Sequence, residues 1–100
     1  MKKIETLFSA EVDIASLYNF IYPHSSKNAE NQVVQIREHI KMLGNFPGLC
    51  MPLTNKVDFD TDLKYSISVP YVIITKHFDT HIEVHRVFHG KENYINKLFV

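Results

Sequence analysis

Apolar residues along the first half of the chain recur at the spacing of a helix, and along the second half at the spacing of a strand. Ala10, Ile14, Leu17, Tyr18 and Ile21 fall at offsets of 4, 7, 8 and 11, one face of a helix that Pro23 ends. Ala29, Val33, Ile36, Ile40 and Leu43 make a second such face, with Ser25-Ser26 ahead of it as a cap. Gly44 behind it is read as a left-handed closing residue, and Pro47 bars resumption. Before the first helix, Lys3-Ile4-Glu5-Thr6-Leu7-Phe8 reads as a short strand, with Ser9 as the cap that stops it.

From Leu63 the period becomes two. Tyr65, Ile67 and Val69 alternate with Lys64, Ser66 and Ser68, a half-buried strand, and Tyr71-Val72-Ile73-Ile74 is a continuous run suited to a central strand buried on both faces. Ile82 to Phe88 follows across a turn whose tip is Asp79-Thr80, which sets Lys76 opposite Glu83. Residues 45–62 lack a period and read as an irregular connection, and Lys91 to Val100 as a short helix or tail. The expectation is an α+β domain of order βααβββ spanning residues 1–100, an antiparallel sheet covered on one face by a helical hairpin.

At 100 residues and 45% apolar composition, the chain has enough hydrophobic surface for one core without a metal or disulfide staple. A single cysteine, Cys50, has no internal partner, and the Met1-Lys2-Lys3 start lacks the apolar run of a secretory signal, so the protein is read as cytoplasmic. No apolar run is long enough to cross a bilayer, and no membrane partner is assigned. Eleven basic residues balance eleven acidic ones, against a protein held on nucleic acid by many phosphate contacts. The balance is uneven: residues 1–62 hold 6 Lys/Arg against 8 Asp/Glu, residues 63–100 hold 5 against 3 together with four of the six histidines. An anionic partner therefore belongs on the C-terminal half.

Three clusters carry candidate chemistry. Asp58, Asp60 and Asp62 are spaced like the opening of a calcium loop, but Leu63 stands where the turn glycine belongs and Val69 where the bidentate glutamate belongs. His77, His81, His85 and His89 recur every four residues in a segment that reads as strand, turn and strand rather than helix, with no cysteine near, and no metal or other cofactor is assigned. His89 stands at a strand end before Gly90, where a side chain reaches a cleft. There it is placed for proton transfer, with Arg86 and Lys64 for a phosphate, Lys91 for developing charge and Tyr94 for a base. A histidine capping a sheet edge and an arginine paired with a carboxylate explain the same residues. Cys50 has no charged neighbour in sequence to activate it.

Two stretches, with the order of elements, resemble the RelE/ParE superfamily of toxins from bacterial type II toxin–antitoxin modules. One is Phe8-Ser9-Ala10-Glu11-Val12-Asp13-Ile14 through Ile21, similar to the family's cap and first helix with its aspartate-apolar pair, followed by Asn28-Ala29-Glu30, Leu43 and Phe46-Pro47. The other is Tyr71-Val72-Ile73-Ile74 with Ile82-Glu83-Val84-His85-Arg86-Val87-Phe88-His89-Gly90-Lys91, similar to the family's tyrosine-led central strand and Arg-Val-x-His-Gly-basic ending. The resemblance implies a sheet under a helical hairpin, a cognate antitoxin in a hetero-oligomer, and a role in growth inhibition and plasmid stabilisation. Thr75, Lys64, Lys91 and Glu92 stand where members often carry a tyrosine and arginines, which thins the basic chemistry. The chain therefore looks more like the ParE side, implying DNA gyrase as target, with Arg86 and Lys91 as target contacts and Tyr94, Leu98 and Phe99 as antitoxin contacts. The alternative is a RelE-like endoribonuclease acting on mRNA at the ribosome, with His89, Arg86, Lys64 and Tyr94 as its catalytic set.

Overall fold

In the computed structural model, which describes residues 1–99, the chain runs β1 (Lys3–Thr6), α1 (Phe8–Ile21), α2 (Ser26–Leu43), β2 (Met51–Pro52), β3 (Leu63–Ser68), β4 (Tyr71–His77), β5 (His81–His89) and α3 (Tyr94–Phe99). Val100, the last residue of the expected tail, lies outside the described residues. The sheet order is β1-β5-β4-β3-β2. Among the described residues no helix is long and apolar enough to cross a membrane.

The α1–α2 hairpin lies over one face, as its two stripes require. Ala10, Ile14, Ile36 and Ile40 pack on Tyr71, Ile73, Val84 and Val87. β4 is buried from Tyr71 to Thr75, in keeping with a central strand. The sheet is mixed rather than antiparallel throughout, because β1 runs parallel to β5 while the other pairs are antiparallel. A strand leading directly into α1 reaches the far edge only by coming up alongside β5. The connection 45–62 is not wholly irregular either: Met51 and Pro52 pair with Tyr65 and Lys64 at the outer edge, where a proline's missing N–H faces no strand. The second face is also covered in part, since α3 folds beneath the sheet and sets Tyr94, Ile95 and Leu98 against Leu53, Tyr65, Val72, Ile74 and Phe88.

One inserted residue decides which side chains share a face at the end of β5. Ile74 pairs with Arg86 but Thr75 pairs with Val84, so His85 is an unpaired bulge. Val84 and Val87, three apart, therefore both point at the helices. Lys76 does face Glu83, as the turn length predicts.

The helix ends differ from expectation in two places. Ser25 caps α2 by accepting the Asn28 N–H at 3.1 Å, but α1 starts at Phe8, without a side-chain cap. Ser9 instead donates its hydroxyl to the His85 carbonyl at 2.6 Å. Gly44 has φ of −63°, not a left-handed value. It is a glycine because β1 crosses it: Lys2 N–H bonds to its carbonyl at 2.9 Å, and a Cβ would stand 2.6 Å from the Lys2 carbonyl oxygen. Gly44→Ala is expected to cost about 2 kcal/mol by overpacking against backbone, read as a lowered midpoint in thermal denaturation.

Candidate functional site

Past Thr6, the outer edge of β5 has no neighbouring strand, and the chain dresses it with local groups instead. Leu7 N–H bonds to the Val84 carbonyl (2.9 Å) and Ser9 to that of His85. The Asp13 carboxylate accepts the Val87 N–H (2.9 Å) and Glu92 accepts the His89 N–H (2.8 Å). An edge satisfied in this way is closed to strand addition at those groups. Between this edge, α1 and α3 opens a cleft of about 610 Å³, with Leu17, Phe20 and Ile21 on one wall and Arg86 to His89 on the other.

Arg86 and His89 both line this cleft, as their position at the strand end suggests. Arg86 is occupied: Nε and Nη2 bond to the two Asp13 oxygens at 2.7 and 3.1 Å, and its guanidinium lies 4.6 Å from the centre of the Phe88 ring. The Asp13 hydrogen bonds raise its pKa against the opposing effect of burial. His89 lies edge-on to Tyr71, with ring centres 5.8 Å apart, and its Nδ1 accepts the Lys91 N–H at 3.0 Å. A nitrogen that accepts from a backbone N–H carries no proton, so the neutral ring holds its proton on Nε2 and presents a donor to the cleft, not a general base. Burial works against the Glu92 carboxylate, but Lys97 at 2.7 Å and the His89 N–H outweigh it and hold its pKa below the ordinary carboxylate value.

The other sequence candidates lie elsewhere. Lys64 pairs with Thr75, while His89 pairs with Tyr71, so about 13 Å of β4 separates them. Lys64 lies near Cys50 and His77 instead, where burial chiefly raises the Cys50 thiol and lowers His77. Tyr94 stacks on Phe88 at 5.9 Å, on the sheet face opposite His89 and Tyr71. Leu98 packs with it, and Phe99 sits edge-on to Phe59 at 4.9 Å, so the three residues expected to meet a partner are engaged within the chain. Lys91 is exposed in the turn after β5.

Sequence reasoning passed over Asp13, which reads as a helix-dipole acid, and the outer face of α1. Phe8, Val12 and Phe20 are 82%, 45% and 78% exposed there. Phe8 and Val12, an offset of 4, share one side of the helix, whereas Phe20, about 80° further round, stands at the cleft.

A family model described as the ParE toxin of type II toxin–antitoxin systems, parDE, matches residues 6–94. Among solved structures, the fold is similar to a chain of the chromosomal ParDE toxin–antitoxin system from P. aeruginosa, with a TM-score of 0.73 at 15% identity, covering 89% of this chain and 96% of that one. No curated protein matches the sequence.

Proposed function

The chain belongs to the ParE toxins of type II toxin–antitoxin systems, and from that membership we propose that a cognate antitoxin holds it inactive in a cytoplasmic hetero-oligomer and that, once free, it arrests growth by poisoning DNA gyrase. The observation that carries the gyrase reading over RNA cleavage is the engagement of Arg86 by Asp13 through two hydrogen bonds. A guanidinium committed to a carboxylate is poorly placed to clamp a scissile phosphate. Lys64 and Tyr94 lie away from His89, and His89 offers a donor where cleavage needs a base. Two groups remain for contact with a large target, Lys91 and the His89 Nε2–H.

Induction without the antitoxin tests this. The expected result is growth arrest with a DNA-damage response, intact messages, and double-strand breaks when the purified protein meets gyrase and plasmid. Messages cut within codons, and spared by a folded His89→Ala, would establish the ribonuclease instead. Lys91→Glu is expected to abolish arrest with the fold unchanged, whereas Lys27→Glu and Lys41→Glu on α2 leave it intact, since an exposed lysine away from a contact contributes under about 1 kcal/mol.

The cleft, with the exposed Phe20 of α1 at its wall, is the surface we assign to the antitoxin. Phe20 combines high exposure with a place in the cleft wall. Phe20→Ser is expected to weaken antitoxin binding by about 2 kcal/mol, near 30-fold, in a calorimetric titration. The melting temperature of the free chain should not move, because little of this side chain is buried. Unchanged affinity would place the antitoxin elsewhere.

A further inference from the structure

The other end of β5 carries a cluster outside the surfaces proposed above for target and antitoxin. β1 pairs there with β5 in parallel, Glu5 beside Glu83 and Lys3 beside His81. Ile82 and Val84 are buried against the helices and Ile4 partly so, and by alternation Glu5, His81 and Glu83 project from the opposite face. His81 Nε2 lies 3.8 Å from Glu5 Oε2 and 3.5 Å from Glu83 Oε2, and one donor atom from each of the three residues falls within 4.8 Å of the others.

We propose that Glu5, His81 and Glu83 form a binding site for a divalent transition ion of the zinc class, joining β1 to β5. Zinc bonds of about 2.0–2.1 Å in tetrahedral array set neighbouring donors about 3.4 Å apart, close to the two separations that His81 makes. The donor set is one imidazole and two carboxylates, which balances a double positive charge and suits zinc. Calcium needs six to eight oxygens, more than these residues offer. Three protein donors on an open face leave a coordination position for water.

Neighbouring groups aim the donors. Thr80 Oγ1 lies 2.9 Å from His81 Nδ1, the contact that leaves Nε2 free for an ion, and the Phe78 ring stacks on the imidazole at 4.6 Å. His85 Nε2 holds the second oxygen of Glu83 at 3.0 Å, which turns the other toward His81. Two lysines share this face, Lys3 beside His81 on β1 and Lys76 beside Glu83 on β4, the latter with its ammonium 3.6 Å from Asp62. The bulge at His85 is what parts this cluster from His89. Alternation without it would place Glu83, His85 and His89 on one face.

The test is a titration of the untagged full chain with zinc chloride, followed by calorimetry and by thermal denaturation. One ion per chain is expected to bind, raising the melting midpoint by roughly 10–20 °C when free zinc is about 100-fold above the dissociation constant. His81→Ala and Glu83→Gln should abolish binding, and His85→Ala should weaken it about 10–100-fold. His24→Ala, in the exposed turn between the helices, should leave it intact. Circular dichroism of the metal-free variants checks folding, and Glu5→Gln, on the edge strand, carries the test if His81→Ala does not fold. No saturable uptake at micromolar zinc, uptake that survives loss of both His81 and Glu83, or binding without a rise in melting midpoint overturns the site. The site stands apart from the toxin reading, because none of these measurements depends on growth arrest.

Discussion

Asp13→Ala is expected to remove about 3 kcal/mol of folding stability. One carboxylate accepts three N–H groups, Nε and Nη2 of Arg86 and the backbone N–H of Val87. A hydrogen bond to a charged group contributes about 1.5–3 kcal/mol, and breaking a buried pair costs about 3–5. The lower part of that range applies because the Arg86 side chain is 33% exposed and can turn to water, while Asp13 is only 14% exposed. The Val87 N–H, on a residue 4% exposed, has no such recourse. At roughly 4–8 °C per kcal/mol, the melting midpoint should fall by about 12–24 °C. Asp13→Asn, which keeps an acceptor for Val87 but loses the charge, should lose about half as much. Urea denaturation followed by circular dichroism gives the numbers, and a loss below about 1 kcal/mol for Asp13→Ala would show that the edge of β5 finds other partners.

The same bridge changes what an Arg86 variant can report. Arg86→Glu would put a second carboxylate against Asp13, so its loss of toxicity would be a loss of fold. Arg86→Leu removes the charge and leaves Asp13 bonded to Val87, a milder change. Growth arrest retained in a folded Arg86→Leu would assign Arg86 to the scaffold, and arrest lost with the fold intact would restore it as a target contact.

Periodicity was a good guide wherever one element meets one surface. The stripes of α1 and α2 are local records of which side is dry, and the Lys76–Glu83 pairing follows from turn length alone. The alternation read in β3 does not hold: Ser66 is buried, its hydroxyl 2.7 Å from His39 Nε2 on α2, while Ile67 and Val69 are exposed. Periodicity fails where an outcome is set by a distant partner. Nothing near Gly44 announces that Lys2 will cross it, and nothing in Ile82 to Phe88 announces the bulge that moves His89 to the helix side. The candidate site divided along the same line. Arg86 and His89 share a cleft because they end one strand, whereas Lys64 and Tyr94 depended on register and on the path of the last helix. Asp13 is equally good chemistry for a helix's first turns and for a strand edge 73 residues away, and only the fold distinguishes the two.

Removing residues 91–100 separates a scaffold role for α3 from a role in antitoxin binding. Tyr94, Ile95 and Leu98 are each partly buried against Leu53, Tyr65, Val72, Ile74 and Phe88. Full burial of such side chains contributes about 1.5–3 kcal/mol apiece, so half-burial of three amounts to roughly 3–4 kcal/mol. The deletion also takes Glu92 from the His89 N–H. Against a total of about 5–15 kcal/mol for a domain of this size, that is a large share, and the uncovered cluster would be an apolar patch prone to association. The expected result is a steep fall in melting midpoint with binding of a hydrophobic dye. Antitoxin affinity, measured at a temperature where the shortened chain is still folded, should change less than it does in Phe20→Ser. The opposite pattern, an unmoved midpoint with antitoxin binding lost, would mean that Tyr94, Leu98 and Phe99 leave the sheet to meet the partner, and α3 would then be a binding arm rather than the lid of the second core.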